Sequence, residues 1–173
     1  MSGMFYNLPV TSIDITRFNT NKVIDMSYMF YNCKFNNFIL SNFNTQNVKN
    51  MSKMFYDCQY LESINLDYFN TPKVIDISYM FDSCKSLTSI NLPNFEMNPG
   101  VNVEGMFYYC NNLKIINISS FIFKNEVYMF YNLPNYCNIT INIKSVNKIF
   151  TIPSTCNYKN SRLNKIKILI IFY

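Results

Sequence analysis

The sequence contains no histidine, no tryptophan and no alanine, and only three glycines in 173 residues. Without histidine the commonest general base is missing, and so are Ser-His and Cys-His nucleophile pairs. Three scattered glycines cannot build a Gly-rich phosphate loop. The six cysteines include no Cys-x2-Cys pair, and no histidine is present to complete a zinc donor set. Acids are scattered rather than paired, and Asp57 and Asp82 fall at loop positions where solvation accounts for them. The chain therefore reads as no enzyme, and no cofactor or metal is implied. Long apolar runs are also missing. The closing run, Ile168 to Tyr173, has six residues, whereas a membrane-spanning helix needs roughly 20. It reads as a terminal strand, a weak anchor or part of a longer segment. At the start, Met1-Ser2-Gly3 leads directly into a repeat with no basic and apolar leader, so no signal peptide is expected and the first copy begins in mid-unit.

Charge is scarce, at 14% of residues against 17% aromatic. A disordered chain shows the opposite balance. Acids stop altogether after Glu126. Residues 1–143 carry nine basic and ten acidic side chains, while Lys144, Lys148, Lys159, Arg162, Lys165 and Lys167 give the last thirty residues six positive charges. A neutral body argues against nucleic acid, which needs clustered cations. The basic tail is open to two readings, a solvated end or contact with an anionic membrane surface. Asparagine abundance follows the AT-rich coding bias that also favours Ile, Lys, Phe and Tyr. It carries little functional weight, and the sequons at Asn50, Asn117 and Asn138 are accounted for by chance.

What the chain does have is a repeat. Met-Phe occurs at Met4, Met29, Met54, Met80, Met106 and Met129, with gaps of 25, 25, 26, 26 and 23 residues. A period in the twenties is one short supersecondary unit per copy, and no copy buries its apolar face alone. The fold class expected is α/β: a solenoid with parallel strands on the concave side and short helices or 3-10 turns on the convex side. About six copies fill residues 1–143, and residues 144–173 form a basic C-terminal tail or cap.

Within a copy, Leu61-x-x-Ile64-Asn65-Leu66 alternates apolar and polar as a short strand does. Equivalent strands are expected in Val10–Ile15, Phe35–Leu40, Leu87–Leu92, Leu113–Ile118 and Ile139–Ile143. A second stripe, with three-residue steps at Val23, Met26, Met29 and at Val48, Met51, Met54, predicts a short α- or 3-10 helix. Thr20, Thr45 and Thr71 stand where an N-cap hydroxyl would, with Pro72 at a first helical position. Phe18, Phe43, Phe69, Phe95 and Phe121 are expected to form one aromatic ladder and the Met-Phe pairs another. The copy after Phe95 is irregular, with Gly105 before Met106.

Cys33, Cys58, Cys84 and Cys110 each lie four residues after a repeat Met, where the outer copies have Leu8 and Leu133. Exchange with leucine marks an apolar site, and buried thiols suit one. Disulfides between neighbouring copies demand specific geometry, so reduced thiols are expected. Cys137 and Cys156 lie outside the ladder and could pair in an exported protein.

The combination Phe-Asn-Thr-x-x-Val-x-x-Met-x-x-Met-Phe-x-x-Cys-x-x-Leu-x-x-Ile-x-Leu resembles the BspA-type leucine-rich repeat surface proteins. It is especially similar to their mycoplasma-lipoprotein branch, once catalogued as a domain of unknown function. The resemblance covers about residues 4–130. It implies a leucine-rich repeat solenoid, a cell-surface or secreted location, and a role in adhesion to protein or glycan. One departure is Phe69, where many leucine-rich repeats carry a buried Asn.

If Leu61, Ile64 and Leu66 point inward, alternation turns their neighbours outward. The outward columns are Asp14, Ile39, Asn65, Asn91, Asn117 and Ser12, Asn37, Ser63, Ser89, Ile115. This row of small polar groups, interrupted by Ile39 and Ile115, is the candidate binding surface. The alternative is a structural spacer, a fragment of a longer array with no ligand of its own.

Overall fold

In a computed structural model, residues 1–95 and 100–118, together with Met129, Leu133 and the strand segments 138–143 and 167–172, are described. Six strands occur: β1 Asn37–Ile39, β2 Ser63–Asn65, β3 Ser89–Leu92, β4 Ile115–Ile118, β5 Asn138–Ile143 and β6 Lys167–Phe172. β1 and β2 pair in parallel, and β3-β4-β5-β6 form a second, all-parallel sheet. Consecutive strands of one direction, one per repeat, are what a 25-residue unit produces when it returns to its starting edge. The strands expected from alternation are present except at residues 10–15, where no strand forms. The closing apolar run is a strand, β6, paired residue for residue with β5.

The predicted helices are absent among the described residues. In their place stands a ribbon of turns, and the reason lies in the backbone hydrogen bonds. The N–H groups of Met26, Tyr28, Phe30 and Asn32 donate to the carbonyls of Asn50, Ser52, Met54 and Tyr56 in the next repeat, at 2.7–3.0 Å. A helix would spend every N–H internally. Here only the remaining N–H groups close turns, Met29 to Met26, Tyr31 to Tyr28 and Cys33 to Phe30, at 3.1–3.3 Å. The three-residue stripe is thus the spacing of successive i to i+3 turns rather than of a helix. Left-handed residues enforce the ribbon. Tyr28, Lys53 and Tyr79 have φ of 55–56°, and Asn7, Asn32, Asp57, Ser83 and Tyr109 have φ of 51–61°. A non-glycine residue in this region costs roughly 1–2 kcal/mol, and the second, third and fourth repeats carry two each, while the first and fifth have glycine at one of the two positions. The pairing of backbone groups across repeats offsets that cost.

Gly105 occupies the same left-handed position as Tyr79, with φ 59°. The backbone alone does not require glycine there, since Tyr and Lys adopt it in the other copies. The ring of Tyr79 packs against Gly105, so a Cβ there would push that ring aside.

The threonines also depart from the expected role. Thr20 Oγ1 donates to the Asn44 carbonyl at 3.0 Å and accepts the Asn44 N–H at 2.7 Å. Thr45 does the same with Asn70. Each hydroxyl bridges to the next repeat instead of capping its own. The local cap is the preceding asparagine: Asn19 Oδ1 accepts the Asn21 N–H and Asn44 Oδ1 the Gln46 N–H, each at 3.0 Å. A parallel bridge series, Asp25 to Asn50 to Asp76 to Asn102, ties the repeats at a third place.

The core lies between these ladders. Phe5, Phe30, Phe55, Phe81 and Phe107 stack in one continuous column with centroids 5.3–5.9 Å apart and planes within 10°. The second expected phenylalanine ladder is broken. Phe69 stacks on Phe95 at 6.2 Å, but Phe43 tilts towards Phe30 at 6.3 Å and Phe18 meets Phe5 edge-on. The second repeat has phenylalanine at two further core positions, Phe35 and Phe38, which pack on each other and on Phe30, the ring that Phe43 also meets. Phe121 lies outside the described residues.

Cys33, Cys58, Cys84 and Cys110 are buried free thiols. Each Sγ–H donates to the carbonyl of the Met-Phe phenylalanine one repeat back, Phe5, Phe30, Phe55 and Phe81, at 3.0–3.1 Å. Burial holds the Cys33 thiol up at about 11 and Cys58 at about 12, and pushes Cys84 well above its ordinary value. Cys137 and Cys156 lie outside the described residues.

Three outcomes follow from this core. Phe69→Ala empties a site with 0% exposure, so urea titration should show a loss of roughly 3–5 kcal/mol. The raised thiols add a pH dependence. The unfolded chain loses these protons near the ordinary thiol value of 9.0, before the folded chain does. Stability is therefore full below that value and falls as pH rises towards about 12, by up to about 1.4 kcal/mol per pH unit for each thiol. Urea midpoints across the alkaline range check this, and Cys58→Val should flatten the fall. Thiol-reagent labelling should be slow in the native protein and fast in denaturant.

Candidate binding surface

Alternation along each strand sets the faces. Phe38, Ile64, Ile90, Ile116 and Ile118 are buried, while Asn37, Ile39, Ser63, Asn65, Ser89, Asn91 and Ile115 are exposed and Asn117 is half-buried. Register then assembles the columns. Asn37 lies beside Ser63 and Ile39 beside Asn65. Ser89 lies beside Ile115 and Asn91 beside Asn117. In β5 the residues in register with Ile115 and Asn117 are Asn138 and Thr140. Asp14 is exposed but belongs to no strand. Its carboxylate accepts the Thr16 N–H and hydroxyl at 2.9 and 2.7 Å, and these bonds hold its pKa below the usual carboxylate value. The described strands thus carry every outward candidate except Ser12 and Asp14, in two sheets.

The face is electrically quiet. Its β1–β4 residues include no ionisable side chain. Several polar groups are already paired. Ser63 donates to Asn37 Oδ1 at 2.7 Å across the β1–β2 boundary. Asn65 Oδ1 accepts the Asp67 N–H at 2.8 Å. Asn91 Nδ2 donates to Asp67 Oδ1 at 3.2 Å, and Asn94 Nδ2 to the Asp67 carbonyl at 2.6 Å. Asp67 therefore gathers three asparagines at the end of β2, a grouping that strand alternation does not include. Beside it Tyr68 is 62% exposed. The signal for Tyr68 lay in its column: the residue before the repeat phenylalanine is Asn42 in the second copy and Asn94 in the fourth, each donating to a carbonyl of the preceding repeat. Tyr68 replaces that donor with an exposed aromatic ring.

Ile39 is 76% exposed and Ile115 45%. Neither is drawn into the core, because each sits on the outward side of a strand whose inward residue fills it. Exposed isoleucine in an otherwise polar column is the apolar content of the surface. Among the described residues no group of three or more Cys, Asp or Glu side chains is placed to hold a metal ion, and no helix is long and apolar enough to cross a membrane.

The side chains of this face hold little of the fold together. Ser63→Ala, Asn65→Ala and Asn91→Ala should each change the unfolding free energy by no more than about 0.5 kcal/mol. An Asn65→Ala cost as large as that of Phe69→Ala in the same titration would show the strand faces to be reversed.

Against known proteins, the family model described as Mycoplasma protein of unknown function, DUF285, matches residues 1–121. The model of the BspA type leucine rich repeat region matches residues 103–170. No curated protein and no solved structure gives a match.

Proposed function

Because the chain belongs to the Mycoplasma DUF285 family and is a BspA-like leucine-rich repeat protein, we propose that it is a non-enzymatic recognition module. In this reading the repeats continue as a solenoid, the strand face is concave, and it takes a protein or glycan of another cell or molecule. The observation that carries it is the in-register presentation of Asn37–Ser63, Ile39–Asn65, Ser89–Ile115 and Asn91–Asn117, two outward residues per strand. Such an array offers repeated hydrogen-bonding groups with isolated apolar contacts at Ile39 and Ile115, and it selects by shape rather than by charge. BspA-type repeats are often found in surface and adhesion proteins, which supports the same reading.

A spacer without a ligand is the second reading. It is favoured by the pairing of Ser63 with Asn37 and of Asn91 with Asp67, since a surface that satisfies its own polar groups has less to offer a partner. A panel of immobilised oligosaccharides and extracellular proteins separates the two. On a recognition module, binding to one member should survive high salt and should survive replacement of Lys144, Lys148, Lys159, Arg162 and Lys165 by Gln. It should be lost in the double variant Asn65→Arg/Asn91→Arg. Binding that disappears in salt or with the lysines belongs to the basic tail, because exposed charge pairs are screened. No binding across the panel supports the spacer.

A further inference from the structure

Away from the strand face, the turn ribbon carries a second aromatic column. Tyr6 stacks on Tyr31 with centroids 4.6 Å apart and planes 10° apart. Tyr31 stacks on Tyr56 at 4.8 Å and 3°. These are the residues that follow the repeat Met-Phe pairs, so one phenol is contributed by each of the first three copies. Unlike the phenylalanine column behind them, they reach the surface: Tyr6 is 48% exposed, and Tyr31 and Tyr56 are half-buried. The column ends at Asp82, which takes the equivalent place in the fourth repeat.

The backbone holds the three rings in register. The Asn7 N–H donates to the Tyr31 carbonyl at 2.8 Å, and the Asn32 N–H donates to the Tyr56 carbonyl at 2.7 Å. Within each repeat, Tyr31 and Tyr56 close turns onto Tyr28 and Lys53. The flanking left-handed residues Asn7 and Asn32 keep those turns tight and are themselves joined, Asn32 Nδ2 to Asn7 Oδ1 at 3.0 Å. Tyr31 alone among the three has a parallel phenol on each side.

We propose that Tyr31 and its stacked neighbours Tyr6 and Tyr56 are an oxidative cross-linking site, at which a peroxide-driven one-electron oxidant joins adjacent repeats through a dityrosine bond. Each of two phenols gives up one electron and one proton. Hydrogen peroxide, acting through a haem peroxidase, takes up both electrons and both protons and leaves as two waters. The two phenoxyl radicals form one carbon–carbon bond between ring positions ortho to the oxygens. The two ring hydrogens at those carbons then move to the oxygens and restore both phenols. No other bond breaks. A radical on Tyr31 meets its partner inside the same molecule and in fixed orientation, so coupling within the chain outruns coupling between chains. The product is a covalent staple between copies that are otherwise joined by hydrogen bonds and packing.

The full chain at low micromolar concentration, treated with a haem peroxidase and hydrogen peroxide, tests this. Dityrosine fluorescence should appear in the monomer band, and peptide mapping should place it at Tyr31 with Tyr6 or Tyr56. Tyr31→Phe keeps the stacked ring but removes the phenol, so the fold survives. It should reduce intrachain dityrosine at least about fivefold, the advantage of a prepaid encounter. A variant lacking two exposed phenols outside the column, Tyr60→Phe/Tyr68→Phe, should retain the intrachain product and form fewer dimers. Circular dichroism of each variant confirms that the repeats are folded. Cross-links found only between chains, or intrachain product unchanged in Tyr31→Phe, would overturn the proposal.

Discussion

The repeats of this protein depend on one arrangement of the backbone: alternate N–H groups of the Met-Phe ribbon point out of their own repeat and into the next. Met26, Tyr28, Phe30 and Asn32 donate forward, and the ribbon of the following repeat donates forward in turn. A buried amide without a partner costs as much as a lost hydrogen bond, so no repeat can satisfy its ribbon alone. The cooperativity of the stack begins there, before any side chain is counted.

Side chains then finish what the backbone leaves open. Each Met-Phe carbonyl in the middle of the stack accepts twice, from the cysteine N–H of its own repeat and from the cysteine thiol of the next, as Phe30 does from Cys33 and Cys58. A leucine could fill the same volume but could not supply that donor. Thr20 and Thr45 bridge neighbouring backbones in the same way. The phenylalanine column gives this framework its apolar interior, and stacking at 5.3–5.9 Å lets one residue type serve every copy. Side chains turned the other way, on the strand face and the tyrosine column, are relieved of these duties. Copies differ there, as Ile39 does from Asn65 on the strand face.

Much of this was legible from spacing. Alternation located β1 to β5 and sorted Ile64 from Asn65, because a strand has only two faces and one must be buried. The cysteine exchange with Leu8 pointed to a buried site. What spacing could not supply was the conformation between strands. A step of three residues belongs equally to a helical stripe and to a chain of i to i+3 turns. The choice turns on whether N–H groups bond within the repeat or across it. That is a property of two repeats, so no reading of one copy reaches it. The grouping of Asn65, Asn91 and Asn94 around Asp67 escaped for a related reason, since it joins the end of one strand to the next repeat.

The sequence by itself determined the period, the parallel order of the strands and the division of each strand into a core side and an outward side. Those follow from the identity and spacing of apolar residues, which cost free energy wherever they remain in water. Only the tertiary structure decided that Thr20 would bridge rather than cap and that Phe43 would lean on Phe30 rather than stack on Phe69. It also decided that Tyr28, Lys53 and Tyr79 would take left-handed backbone that glycine usually occupies. Phe43 answers to a ring of its own repeat, but for Thr20 and the left-handed residues a local preference is set against a contact with another repeat. The contact prevails because a backbone group buried between repeats has no water to turn to.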